Sequence, residues 1–250
     1  MKFCKKFVVA LLMLLVIPPV TLSQDNQASS TASATQEEVY PISNSDQPPH
    51  NIVGKIVYDD GYSGTGFVIG HNTILTNRHM VQDLNTHSGE FKLGLNQHNN
   101  GPKILGEYKL ISAKLAPNEH DDVAILTVKP KQDNLPLDKV VAPAKLVNAN
   151  YIDEQWMLTD ENKMHTAGYP GNRQRNVMWG SNGKLLKYGF NNNRIYVANI
   201  DTAPGASGSP LFNKDNEVVG INSSSYGPPT NESGGFLFKD DLYDFIINNR

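Results

Sequence analysis

The sequence predicts an all-β protein, built as a sandwich or barrel. Three observations point there. From about Asn51 onward, short runs rich in Val, Ile, Phe, Tyr and Thr recur at close spacing. Gly, Asn, Asp and Pro punctuate the intervals, as turns require. Helical spacing of apolar residues is found at the C-terminus alone. At 250 residues, 39% hydrophobic and 19% charged, the chain has length for one sizeable core or two small ones.

In chain order, Lys2, Lys5 and Lys6 precede an apolar run from Phe7 to Ile17, which Pro18 and Pro19 break. Thr21-Leu22-Ser23 then offers small residues for a cut before Gln24. This is the pattern of a secretory signal peptide over residues 1–23. The run is about half the ~20 residues that span a bilayer, so no membrane contact is expected after its removal. Residues 24–50 begin with a Gln/Ser/Thr/Ala-rich stretch, expected to be a pro-segment or disordered linker. A processing cut is expected near Glu37-Glu38-Val39.

The folded body is expected over 51–250. Strands are expected at Ile52–Tyr58, Thr65–Ile69, Asn72–Leu75, Phe91–Leu95, Ile104–Leu115 and Val123–Val128, each dense in β-branched or aromatic residues. A link between two halves is expected near 142–160. Further strands follow at Met164–Gly168, Lys184–Tyr188, Arg194–Asn199, Glu217–Ile221 and Phe236–Phe238, with a hairpin turn at Asn213–Asn216. The closing helix starts on Asp240-Asp241 and places Leu242, Phe245 and Ile246 on one stripe.

Charge and cysteine content exclude several function classes. Lys+Arg is 22 against 25 Asp+Glu, a formal −3 with no basic block, so a nucleic-acid partner is not expected. The single cysteine, Cys4, leaves with the signal. The exported chain then has no disulfide, which suits a bacterial product. The histidines show no metal-ligand spacing.

Three short segments carry chemistry. Thr76-Asn77-Arg78-His79 follows a strand-like run. Asp121-Asp122 opens the apolar run Val123-Ala124-Ile125-Leu126. Gly205-Ala206-Ser207-Gly208-Ser209-Pro210 precedes Leu211-Phe212. Acyl transfer by a hydroxyl needs a histidine to take its proton and a carboxylate to orient that histidine. It also needs N–H donors for the oxyanion. Ser207 is the candidate nucleophile, His79 the base and Asp122 the orienting acid, with Asp121 the other candidate. His120, beside Asp121, stands close enough in sequence to touch that acid. Gly205 and Ser207 are the candidate oxyanion donors. The order His, Asp, Ser matches chymotrypsin and neither subtilisin nor the α/β-hydrolases.

At these residues the chain resembles the secreted bacterial chymotrypsin-like serine proteases of the staphylococcal glutamyl endopeptidase and exfoliative toxin type. The resemblance runs from about Ile52 onward. It rests on Thr65–Gly70, Asn72–His79, Asp122–Ile125, Val141–Ala144, Gly168–Gly171, Met178-Trp179 and Gly205–Pro210. It implies two six-stranded antiparallel β-barrels with a cleft between them and a C-terminal helix. It also implies an extracellular monomer that cleaves polypeptides, with no cofactor and no metal. The triad falls on His79, Asp122 and Ser207. Substrate-binding roles fall on Thr202, Asn222 and Ser223, and they suit an acidic or small polar residue before the scissile bond (P1).

Three departures bear on activity. Ala206 stands where relatives usually have Asn. Asn222 stands where Glu-specific relatives have His. Pro204-Gly205 resembles the toxins, in which the peptide before the oxyanion glycine sits in a non-productive orientation. The alternative function is therefore a catalytically silent or substrate-activated, toxin-like binding protein. A third reading is an esterase using the same residues.

Overall fold

The structure is a computed structural model that describes residues 38–82, 84–189, 191–227 and 230–250. The expected signal peptide, 1–23, and the start of the expected pro-segment lie outside the described residues. Along the chain the strands are β1 (Glu38–Pro41), β2 (Val53–Tyr58), β3 (Ser63–Val68), β4 (Thr73–Thr76), β5 (Gly89–Leu93), β6 (Asn96–His98), β7 (Gly101–Lys103), β8 (Gly106–Leu115) and β9 (Ala124–Pro130). Short helices α1 (Leu137–Val140) and α2 (Glu154–Met157) follow. Then come β10 (Met164–Gly168), β11 (Trp179–Gly183), β12 (Leu185–Gly189), β13 (Ile195–Ala198), β14 (Pro210–Phe212), β15 (Val218–Gly227), β16 (Glu232–Leu237) and α3 (Asp240–Asn248).

The first half is a closed six-stranded antiparallel barrel in the order β2-β3-β4-β9-β8-β5. Its strands alternate as the sequence demands. In β8, Tyr108 and Leu110 are buried while Lys109 is exposed. Ile56, Val68, Ile74, Phe91 and Leu126 share the inward face with Tyr108, whereas Phe67 and Leu75 are buried on the opposite face. The second half is a single antiparallel sheet in the order β1-β11-β10-β14-β15-β16-β13-β12. A second cluster, including Met164, Leu185, Tyr196, Leu211 and Val219, packs there.

One expectation is corrected here. The second barrel was expected to have six strands, and its sheet has eight. The reason is local. Lys184 is the one residue between β11 and β12, and Asn199 takes it out of the ladder. The Lys184 N–H donates to Asn199 Oδ1 at 2.6 Å, and the Asn199 N–H donates to the Lys184 carbonyl at 3.1 Å. One bent segment therefore counts as two strands and supplies both flanks of the sheet. The eighth strand is β1, which adds outside β11 with Val39 opposite Ser181. Strand β1 falls inside the 24–50 segment expected to be a pro-segment or linker, and there it pairs along its whole length with β11. Tyr40 seals this edge with a hydroxyl bond to Asn182 at 3.1 Å.

Residues 142–160 run from one half to the other. The Ala144 N–H donates to Val68 in β3, whereas the Val147 N–H donates to Val218 in β15. The turn at Asn213–Asn216 joins β14 to β15, with Asn216 at φ +60°. Helix α3 buries Leu242, Phe245 and Ile246, the stripe read from the sequence.

Candidate active site

The barrel register brings the first two candidate residues together. Thr76, the last residue of β4, pairs with Ala124, the first of β9. The chain leaving β4 therefore lies beside the chain entering β9. Asn77, fully buried, donates from Nδ2 to the Asp122 carbonyl at 2.8 Å. Arg78 donates to the carbonyls of Ala116, Asn118 and Asp121, which ties down the segment that delivers Asp122.

His79 sits in the 3-10 turn Arg78–Val81. Asp122 grips it twice. Oδ2 lies 2.7 Å from His79 Nδ1, and Oδ1 accepts the His79 backbone N–H at 2.9 Å. The Ser223 hydroxyl also donates to Asp122 Oδ2. Burial alone would raise the Asp122 pKa. The hydrogen bonds from the His79 ring, the Ser223 hydroxyl and the His79 N–H outweigh it, so the carboxyl sits below its ordinary value. Among the described residues His79 Nε2 has no hydrogen-bond partner.

Asp121 faces the opposite way. Its carboxylate is buried against Arg194, at 2.7 Å, and accepts from Asn191. Arg194 is itself fully buried and reaches Asp241 on α3. Of the two adjacent acids, Asp122 alone meets the histidine. His120 is exposed, and its backbone N–H turns to Asn118 Oδ1.

Ser207 lies in the loop between β13 and β14. Two glycines give this loop its path. Gly205 has φ +100°, and a Cβ there would meet the Tyr169 carbonyl at 2.6 Å. Gly208 has φ +87°, and a Cβ would meet the Thr65 carbonyl at 2.0 Å. Thr65 of β3 stitches the loop to the first barrel. Its N–H donates to the Ser207 carbonyl at 2.8 Å and its hydroxyl to the Gly205 carbonyl at 2.8 Å. The Pro204 carbonyl accepts the Gly171 N–H at 2.7 Å. Among the described residues the Gly205 and Ser207 N–H groups have no acceptor, so both donors are available. The Ser207 hydroxyl is turned to the Ser223 carbonyl at 3.3 Å.

His79, Gly205, Ser207, Asn222 and Ser223 line one open cleft of about 520 Å³. Thr202 and Asn222 are buried, and among the described residues Thr202 Oγ1 and Asn222 Oδ1 lack partners. Asn222 Nδ2 donates to the Ala206 carbonyl at 3.3 Å. Ser223, expected to bind substrate, also reaches the carboxylate of Asp122. Sequence reasoning missed that contact, along with the parts played by Thr65, Arg78, Gly171 and Arg194. Thr65 and Arg78 stand inside the motifs that carried the resemblance. Arg194 gives no local signal beyond a cation at the head of an apolar strand.

A closed barrel joined to a second antiparallel sheet, with a His–Asp pair and a serine in one cleft, defines the chymotrypsin-like class. The comparisons agree. The family model described as "Trypsin-like peptidase domain" matches residues 64–221. Glutamyl endopeptidase of Staphylococcus epidermidis is 30% identical over 242 residues, covering 90% of this chain and 80% of that one. Exfoliative toxin A of Staphylococcus aureus is 32% identical over 188 residues, 70% of this chain and 61% of the toxin. A solved Glu endopeptidase shares the fold, with a TM-score of 0.67 at 20% identity, over 84% of this chain and 95% of its own. The chain belongs to the trypsin-like peptidase family. It is a serine endopeptidase, and its substrate is polypeptide.

Proposed function

We propose that Ser207, His79 and Asp122 are the catalytic triad of a secreted bacterial endopeptidase with a preference for an acidic P1 residue. One observation carries this reading: Asp122 binds both the ring and the backbone of His79 in the cleft that holds Ser207. Asp122 keeps the Nδ1–H tautomer, which leaves Nε2 as the acceptor. The Ser207 hydroxyl rotates from the Ser223 carbonyl, gives its proton to Nε2 and attacks the substrate carbonyl. The Gly205 and Ser207 N–H groups receive the oxyanion. His79 then protonates the leaving amine, and water releases the acyl group by the same steps.

Two observations support an acidic P1 residue. The Thr202 hydroxyl is buried without a partner among the described residues. Val39 lines a small cavity with Thr202 and Ala206. A cut between Glu38 and Val39 would leave a positive α-amino group there, supplying the charge that Asn222 lacks. The signal-like residues 1–23 support export. Asn222 Oδ1, buried and without a partner among the described residues, favours a second reading, in which a neutral P1 residue donates to it.

The test is fluorophosphonate labelling together with peptide-library cleavage by the secreted form that begins at Val39. The expected result is one adduct on Ser207 and a preference for Glu over Gln at P1. Ser207→Ala should label not at all and lose about 10⁴-fold or more in kcat/KM. No adduct would leave the silent, toxin-like binder. Gln equal to or above Glu would establish the neutral reading.

A further inference from the structure

A second cavity, of about 460 Å³, adjoins the catalytic cleft, and Gly61, Ser63 and Gly171 line both. Lys55, Lys92, Arg173 and Arg175 also line it, and among the described residues no carboxylate does. In a chain of formal charge −3, four cations around one hollow are a local reversal of sign. Two of them have partners behind the wall. Arg173 reaches Asp201 at 2.9 Å and lies over the Trp179 ring. Lys92 faces Glu107 at 3.5 Å and Glu90 at 3.8 Å, and both of those acids are shared with Lys131. The other two have no acid partner among the described residues. Lys55 Nζ has the neutral Asn176 Oδ1 at 3.4 Å, and Arg175 is exposed with no ion pair among the described residues. Burial pushes the Lys55 ammonium pKa down, and the charges of Arg175 and Lys92 push the same way. Like charges held together in this way repel until an anion joins them.

Position selects the anion. Asn222, Ser223, Ser224 and Ser225 line the cleft but not this cavity. A peptide with its P1 side chain toward Thr202 and Asn222 would pass its leaving half over Gly61 and Gly171, toward the cations. Val57 and Ile104 supply apolar wall, which suits the stem of a glutamate more than a bare sulfate. Resting on the reading of the cleft given above, we infer that this cavity is a subsite for an acidic side chain just after the scissile bond.

Two measurements test this. The first uses quenched peptides identical up to the scissile bond, with Glu-Asp-Glu or Gln-Asn-Gln in the leaving half. The acidic series should have about tenfold higher kcat/KM near 20 mM salt, shrinking as ionic strength screens the site. Lys55→Ala and Arg175→Ala should each cut that preference severalfold. The second is turnover-free. The full chain carrying Ser207→Ala is titrated with fluorescent leaving-half peptides, and the acidic one should bind about tenfold tighter. This arm separates failure of the subsite from failure of catalysis. Equal binding of both peptides would overturn the inference. So would a preference that survives both cation substitutions, or binding of a sulfated oligosaccharide that acidic peptide does not displace.

Discussion

The two sides of the cleft that holds His79 and Ser207 are held by different forces. On the first-barrel side, polar and charged side chains do the holding. Asn77 and Arg78 bind the carbonyls of the segment before β9, and the buried Asp121–Arg194 pair anchors its base. On the second side, backbone shape does the holding. Gly205 and Gly208 take positive φ, Pro204 is bonded to Gly171, and the Gly208 N–H donates to the Asn222 carbonyl. The first side should therefore fail when a charge is removed, and the second when a Cβ is added.

The largest expected effect is on the first side. Asp121→Ala leaves the guanidinium of Arg194 buried, with exposed Asp241 as its remaining acid. Breaking a buried pair in this way costs about 3–5 kcal/mol. Urea melts at neutral pH measure the loss. A change below about 1 kcal/mol would show that water reaches Arg194 and that charge does not hold this side.

The second side is tested by Gly205→Ala. The added Cβ meets the Tyr169 carbonyl, and the loop must move its N–H away from the proposed oxyanion position. Loss of one such donor lowers kcat by about 10²–10³. The proof of mechanism is a fall in kcat with KM nearly unchanged. If the loop tolerates the methyl and kcat holds, the Gly205 N–H is not an oxyanion donor.

The same contrast explains what the sequence could reveal. The first barrel was legible because its strands bury alternate β-branched and aromatic side chains. The short runs around His79, Asp122 and Ser207 stood out because acyl transfer, the role proposed for them, restricts residue type at each. The choice between Asp121 and Asp122 was not, since it depends on which side of the strand entry faces His79. The Asp121–Arg194 pair spans 73 residues, and no local pattern announces it. Strand β1 hid behind Glu38 and Pro41, which read as linker until β11 lies alongside. Ser223 looked like one wall residue in a serine run, and its bond to Asp122 exists only in three dimensions.

The smallest expected effect separates the two sides by pH. His165 of β10 is the exception on the second side, a titrating group packed behind the sheet. Its ring stacks on Phe212 at 4.8 Å, and burial, reinforced by nearby His50, pushes its pKa down to about 4. The folded state therefore prefers the neutral ring, whereas the unfolded chain titrates near the ordinary ~6.5. The unfolded state binds the extra proton between these values. The stabilisation is complete above about pH 6.5 and is lost as pH falls toward 4, by up to about 3 kcal/mol. Asp122, with its lowered pKa, keeps its contribution until below that window. Mild acid should thus weaken the shape-held side before the charge-held one. Urea midpoints at pH 7 and pH 4.5 measure the fall, and His165→Phe, which keeps an aromatic ring on Phe212, should flatten it. An equal fall in His165→Phe would place the acid sensitivity elsewhere, with His50, whose pKa burial also lowers, the next group to replace.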